Sequence, residues 1–327
     1  MGRSMHWVIV SALLLALSST ASLPEEGRHT ILGENRFVRR PKAKHDWTLQ
    51  RLIILPRDRL LFCYIEKVAG TSFNSLFNQI ANRTTHRLRT MWLLNDWRAH
   101  RLKVDDLLNL FHNESWHKAV FFRDPVERFI SAYRSKCLLR SRRRRHDLHS
   151  SRIERGSWHC ENAFGSWNAS FQRAVEVVRS VEAIGNAHWL QQFQFCGDLR
   201  RHISHFDTIE LLQPEGINRK VMGMLRRANV NVTQVVAAAV DRFFPPPNSR
   251  PLTDWRRGSF TNASATIQEY FPNTAEGIDS LATVVRHYLE DYKLFNMTLT
   301  PWQLRMLSSN TGRYDDILRG LPYLPTL

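Results

Sequence analysis

Two short apolar runs, each ending in a cationic turn that opens an amphipathic helix, limit what this chain can fold into. The first lies in L-L-F-C-Y-I-E-K-V-A-G-T-S-F. Leu60, Leu61, Phe62, Cys63, Tyr64 and Ile65 are apolar without alternation, the composition of a strand buried on both faces of a parallel sheet. Phe73, Leu76, Phe77 and Ile80 then recur at helical spacing, which predicts a helix with Thr71 or Ser72 at its N-cap. Lys67, Val68, Ala69 and Gly70 form the turn between them. A lysine, a glycine that lets backbone approach a ligand, and the unpaired amides of a helix N-terminus together cradle a phosphate. The order is not G-x-x-x-x-G-K-[ST], because Lys67 precedes the single glycine, and this disfavours an ATP or GTP hydrolase of that type.

The second run is A-V-F-F-R-D-P-V-E-R-F-I-S-A-Y-R. Ala119 to Phe122 predicts another buried strand, and Asp124, Pro125 and Glu127 fall at the N-cap, N1 and N3 positions of a capping box. Val126, Phe129, Ile130, Tyr133 and Cys137 mark the buried face of the helix, with Arg128, Ser131, Arg134 and Ser135 on the other. Arg123 stands at the carboxyl end of the strand, where open α/β sheets bind ligands, and its guanidinium suits bidentate phosphate recognition. Two such units predict a pocket for two phosphates.

The order K-x-x-G-T-S, then R-D-P-x-x-R-x-x-S-x-Y, then H-W-x-x-Q-x-x-x-C at His188 to Cys196 resembles the Golgi carbohydrate sulfotransferases, in particular the branch of chondroitin and related glycan sulfotransferases and their invertebrate relatives. The resemblance runs from about Leu60 to Asn296 and closes on Y-L-E-D-Y-K-L-F-N. It implies an α/β fold, a P-loop-like three-layer sandwich with a central parallel sheet. It also implies 3′-phosphoadenosine 5′-phosphosulfate as co-substrate, with Lys67, Val68, Ala69, Gly70, Thr71 and Ser72 on the 5′-phosphosulfate and Arg123 and Ser131 on the 3′-phosphate. Relatives often carry proline before the lysine, cysteine where Gly70 stands and proline where Gln191 stands. Glu66, which precedes Lys67 here, either pairs with it or points away.

The chemistry expected is in-line transfer of a sulfuryl group to a sugar hydroxyl, governed by positioning and charge stabilisation. Lys67 would neutralise the leaving phosphate oxygen. His188 is the first candidate for the base, with packing or sugar binding as its other roles, and His86, His100, His112 and His117 as alternatives. The histidines and cysteines show no zinc-like spacing, and no metal is expected.

With 327 residues, 43% hydrophobic content and no long low-complexity tract, the chain reads as one catalytic domain over 51–300, with a tail over 301–327. Residues 1–22 read as a cleaved signal peptide, with Arg3, an apolar core from Trp7 to Leu17, and Ser19 and Ala21 before a cut. A short uncleaved type II signal anchor is the alternative, and 23–50 is a luminal stem. Asn82, Asn113, Asn168, Asn231, Asn262 and Asn296 each begin a glycosylation sequon, which suits a Golgi lumen. A Cys137–Cys160 disulfide would close the basic loop between them. Cys63 reads as a free buried thiol, or less readily as a partner of Cys196.

The formal net charge is +16 and the pI about 10.3. Arg140 and Arg142 to Arg145 concentrate part of that excess, and Arg142, Arg143 and Arg144 are expected to meet an acidic glycosaminoglycan, not nucleic acid. A furin-like processing site and a plain solvated loop are the other readings of the run. The polar stretch with Arg256, Arg257, Ser259 and Thr261 either closes over the donor or is surface loop. A secreted heparin-binding protein would explain the charge but not the paired phosphate turns, and a nucleotide kinase is the enzymatic alternative.

Overall fold

The computed structural model describes residues 46–81, 101–138, 154–246, 263–309 and 312–322. The leader, most of the stem, Asn82, His86, His100, Arg142, Arg143, Arg144, Asn262 and the stretch 256–261 lie outside them. Among the described residues no helix is long and apolar enough to cross a membrane.

In chain order a short helix α1 (Asp46–Leu49) leads into strands β1 (Leu52–Leu55) and β2 (Leu60–Cys63), then helices α2 (Gly70–Ile80) and α3 (Val104–His112). Strand β3 (His117–Phe122) is followed by α4 (Pro125–Tyr133), which runs into a single π-turn, Arg134–Leu138. Helices α5 (Glu154–Phe164), α6 (Phe171–Ser180) and α7 (Leu199–His202) precede β4 (Thr208–Leu211). Then come α8 (Ile217–Arg227), α9 (Gln234–Phe243), α10 (Ala263–Tyr270), α11 (Ala275–His287), α12 (Leu289–Leu294), α13 (Pro301–Ser308) and α14 (Asp315–Gly320).

The sheet has the order β1-β2-β3-β4. Strands β2, β3 and β4 are parallel, and β1 joins as an antiparallel edge strand that the sequence reading did not include. Leu52, Ile53, Ile54 and Leu55 are as buried as β2, and Pro56 and Asp58 make the tight return between the two strands. The apolar run of β2 stops pairing at Cys63, so Tyr64 and Ile65 belong to the turn that carries Lys67.

Aromatic packing seats α2 on this sheet. Phe73 and Phe77 pack against Phe62 of β2 with ring centroids 4.6 and 4.9 Å apart, and Phe73 meets Phe121 of β3 at 4.9 Å and Phe244 at 4.7 Å. The edges and faces of these rings interlock, which adds to the burial of their apolar area. Since β2 and β3 are parallel and adjacent, the turn after β2 and the turn after β3 emerge side by side at the carboxyl end of the parallel strands.

Two disulfides tie the loops to this frame. Cys137–Cys160 joins the π-turn to α5, as expected. Cys63 is not a free thiol: it bonds Cys196 and so fastens β2 to the segment that follows His188. The described helices past residue 300 are packed as well. Leu307 of α13 and Ile317 of α14 are fully buried, and both helices dock on α11.

Because the Cys63–Cys196 bond closes a loop of 133 residues, the double variant Cys63→Ala/Cys196→Ala should lose about 2–5 kcal/mol of stability, read as a lower midpoint in urea unfolding. An unchanged midpoint would mean that burial alone holds the two segments together.

Candidate functional site

The turn after β2 is held in an uncommon backbone conformation. Lys67 and Ala69 both adopt positive φ, at 69° and 49°, although neither is glycine. Left-handed geometry at such residues costs on the order of 1–2 kcal/mol each and persists where the surroundings enforce it. Ala69 is the residue that caps α2, and it offers no side-chain cap. The N-cap expected at Thr71 or Ser72 is therefore corrected: both lie inside the first turn, Thr71 exposed and Ser72 half-buried, with the first-turn amides left to an outside acceptor. Gly70 is explained differently from the sequence reading. A β-carbon there would overlap the Tyr64 ring, which packs beneath the turn.

The Lys67 ammonium donates to Ser135 Oγ at 2.8 Å, bridging to the π-turn. Burial, reinforced by Lys136, Arg123 and Arg128, pulls its pKa down to about 7. Glu66 does not answer this charge. Its carboxylate is 5% exposed and pairs with Arg51 at 2.7 Å.

Arg123 begins the second turn, and its guanidinium Nη1 lies 3.4 Å from the Lys67 carbonyl, so the two turns meet. Its backbone is gripped from both sides by Gln192, whose Oε1 accepts from the Arg123 N–H at 3.0 Å while Nε2 donates to the Arg123 carbonyl at 2.9 Å. Asp124 caps α4 as expected, accepting from the Glu127 N–H at 2.8 Å. The reciprocal half of the capping box is absent, because Glu127 turns its carboxylate to Arg123 Nε at 3.2 Å. Ser131, further along α4, is 3% exposed, so a phosphate reaching it must enter the protein interior.

The residues that steady this arrangement come from the C-terminal helices. Asp291 is fully buried and accepts from the N–H groups of Gln192 and Phe193, both at 2.8 Å, thereby placing the Gln192 clamp. Tyr292 donates to Asp124 Oδ2 at 3.0 Å, and Tyr288 donates to the Trp189 carbonyl at 2.6 Å. Burial pushes the carboxyls of Asp124 and Asp291 up to about 6. In the sequence Tyr288 and Tyr292 stand within Y-L-E-D-Y-K-L-F-N with nothing to mark a role; their polar tips facing the site are visible only in three dimensions.

Arg128 is the largest departure from the sequence reading. It does not face solvent on a polar side of α4 but is 0% exposed. Nε donates to the Glu66 carbonyl at 2.8 Å, Nη1 to the Leu190 carbonyl at 2.7 Å and Nη2 to the Ala187 carbonyl at 3.1 Å. One guanidinium thus joins the turn before Lys67 to the turn that carries His188.

His188 is half-buried and Trp189 fully buried against Phe164. Burial, helped by the field of Lys136, His159, Lys67 and Arg51, holds the pKa of His188 well below the usual histidine value. Its neighbour His159, which sequence reasoning missed, packs against it with the rings tilted and their centroids 4.3 Å apart, and the exposed Trp158 ring follows at 4.9 Å from His159. Gln191 donates to the carbonyls of Glu182 and His287. Of the other histidines weighed as base, His117 opens β3 at the far end of the sheet, and His112, on α3, packs against His205. Among the described residues no group of three or more His, Cys, Asp or Glu side chains could hold a metal ion. The sequon residues Asn113, Asn168, Asn231 and Asn296 are all exposed.

Replacing Arg128 by methionine should cost about 3 kcal/mol or more in chemical denaturation, since three interior carbonyls lose their donor. Arg128→Lys should recover only part of it, because a point charge lacks the planar fork. Equal stability of all three proteins would remove Arg128 from its structural role.

A model of the sulfotransferase family matches residues 50–298. The chain is 23% identical over 238 residues to carbohydrate sulfotransferase 11 of Rattus norvegicus and of Mus musculus, covering 64% of this chain and 64% of each relative. It is 28% identical over 104 residues to carbohydrate sulfotransferase 14 of Mus musculus, covering 29% of this chain and 26% of that relative. The chain thus spans a little under two thirds of the curated relatives it matches first. No solved structure gives a significant match. From the match across 50–298, which includes the Lys67 turn, the Arg123 helix and the His188 segment, the chain belongs to the sulfotransferase family.

Proposed function

We propose that this protein is a carbohydrate sulfotransferase of the secretory pathway, transferring a sulfuryl group from 3′-phosphoadenosine 5′-phosphosulfate to a hydroxyl of an acidic glycosaminoglycan such as chondroitin. The observation that carries this reading is the meeting of Arg123 with the Lys67 turn, 3.4 Å apart, at the carboxyl ends of β2 and β3. One nucleotide bearing phosphates at two ends fits a site whose two cations sit on neighbouring turns. The catalytic domain over 51–300 would then be a P-loop-like three-layer sandwich, with the leader and stem directing it to the Golgi lumen. Two disulfides and exposed sequon asparagines suit an oxidising, glycosylating compartment.

The donor supplies an activated sulfuryl group, and the residues of this chain do the rest. The amides of Gly70, Thr71 and Ser72 and the Lys67 ammonium hold the 5′-phosphate end, and Lys67 balances charge on the departing oxygen. Arg123, with Ser131 behind it, holds the 3′-phosphate. His188 takes the proton of the acceptor hydroxyl. A uronic-acid-bearing chain is drawn in by the positive field of the site and by Arg142, Arg143 and Arg144, and the exposed face of Trp158 offers a platform for a sugar ring.

The free site holds Lys67 at a pKa of about 7, below its value in an unfolded chain, so above neutrality the folded protein keeps it largely uncharged. Phosphate groups reverse this by favouring the ammonium. Binding of 3′-phosphoadenosine 5′-phosphate at pH 8 should therefore take up protons, seen in calorimetry as an enthalpy that varies with buffer ionisation heat. Lys67→Met should abolish the variation; uptake that persists in the variant assigns the proton elsewhere.

Arg123→Ala should reduce the preference for the 3′,5′-bisphosphate over adenosine 5′-phosphate by about 10- to 100-fold, the worth of a charge-assisted contact. Transfer of labelled sulfur to desulfated chondroitin, dermatan or heparan chains tests the activity itself. A protein stabilised by heparin but not by the bisphosphate nucleotide would be a polyanion binder instead.

A further inference from the structure

The turn that displays His188 is organised around one buried side-chain amide. Asn186 is 5% exposed, and both of its polar atoms are engaged. Oδ1 accepts from the His188 backbone N–H at 3.1 Å and lies 2.9 Å from His188 Nδ1. Nδ2 points at Asn162 Oδ1 at 3.2 Å, the His159 carbonyl at 3.3 Å and His159 Nδ1 at 3.4 Å.

Two of these partners have no choice of role, since a backbone N–H only donates and a carbonyl only accepts. They decide which end of the amide is oxygen. The amide then decides the His188 ring, which must carry its proton on Nδ1 to face an oxygen, while the two N–H groups of Nδ2 are met at the shorter distances by Asn162 Oδ1 and the His159 carbonyl. The carbonyl of Asn186 also accepts from the N–H groups of Trp189 and Leu190, at 3.0 and 2.9 Å, and Arg128 holds the carbonyls of Ala187 and Leu190. The frame around the amide is therefore fixed as well.

We infer that Asn186 is a positioning residue that locks His188 in the Nδ1–H tautomer, so that the Nε2 lone pair is the basic atom of the site. This rests on the sulfuryl-transfer reading above. As the acceptor oxygen bonds to sulfur, its proton passes to Nε2, the bridging sulfur–oxygen bond breaks, and its electron pair goes to the phosphate oxygen beside Lys67. The imidazolium that results keeps Nδ1–H on Asn186 Oδ1, which stabilises the new charge without moving the ring. The arrangement follows the general logic in which a third group orients a catalytic base through its other nitrogen.

The test is long-range proton–nitrogen correlation on the full chain labelled with 15N-histidine, with His188→Gln assigning the signal. His188 should appear as the Nδ1–H tautomer in the unmodified protein and lose that form in Asn186→Ala. Asn186→Ala should lower kcat on the order of 100-fold while leaving affinity for 3′-phosphoadenosine 5′-phosphate unchanged. Asn186→Asp keeps an oxygen under Nδ1 and should recover part of kcat, with the acidic limb of its pH profile moved upward because a carboxylate favours the imidazolium. Retained nucleotide affinity certifies the fold of each variant. An Nε2–H signal for His188 in the unmodified protein, or an alanine variant with unaltered kcat and pH profile, overturns the inference. An unmodified protein with His188 as Nδ1–H that neither binds the nucleotide nor transfers sulfur overturns the sulfuryl-transfer reading instead, and leaves the tautomer lock standing.

Discussion

A single guanidinium holds the candidate site together. Arg128 leaves α4, the helix that Arg123 introduces, and reaches the carbonyl before Lys67 and two carbonyls of the turn that displays His188. The three segments are far apart in sequence. Burying a cation is costly unless every donor finds an acceptor, and here carbonyl dipoles supply the acceptors while Asp291 and Glu66 lend their field. The same demand makes the joint directional: an apolar side chain of equal volume would fill the space without dictating where the carbonyls point.

The electrostatics around it are one-sided. Burial lowers the pKa of Lys67, and the cations Lys136, Arg123 and Arg128 add to that shift, while the nearby carboxylates Glu66 and Glu127 pair with Arg51 and Arg123. Such a site carries its own repulsion when nothing anionic is present. The left-handed backbone at Lys67 and Ala69 adds to the strain, and strain of this kind is retained where a ligand repays it. The C-terminal helices counter the tension by hydrogen bonding inward through Tyr288, Asp291 and Tyr292.

Local pattern carried the sequence reading a fair distance. The apolar runs of β2 and β3, the aromatic stripe of α2 and the Asp124-Pro125 helix start are set by neighbouring residues, and these were legible. Strand β1 was not, because four apolar residues between Arg51 and Pro56 make too short a signal to separate from a linker. Arg128 misled for a different reason. Its spacing with Ser131 and Ser135 is that of a polar helix face, and only the enclosure of α4 by the sheet, the His188 turn and the C-terminal helices turns that face inward. Asn186 carries no motif at all; its meaning lies in which atoms surround it.

The two disulfides are nested, since the Cys137–Cys160 pair lies wholly within the span closed by Cys63 and Cys196. On a chain emerging from its N-terminus, Cys63 appears first and its proper partner last, with two other thiols arriving in between. Maturation thus depends on the inner ring closing before Cys63 captures Cys137, and on shuffling when it does not. Production in a reducing cytoplasm would leave both staples open, while an oxidising compartment supplied with an isomerase lets a mispaired outer ring still reach its correct finish.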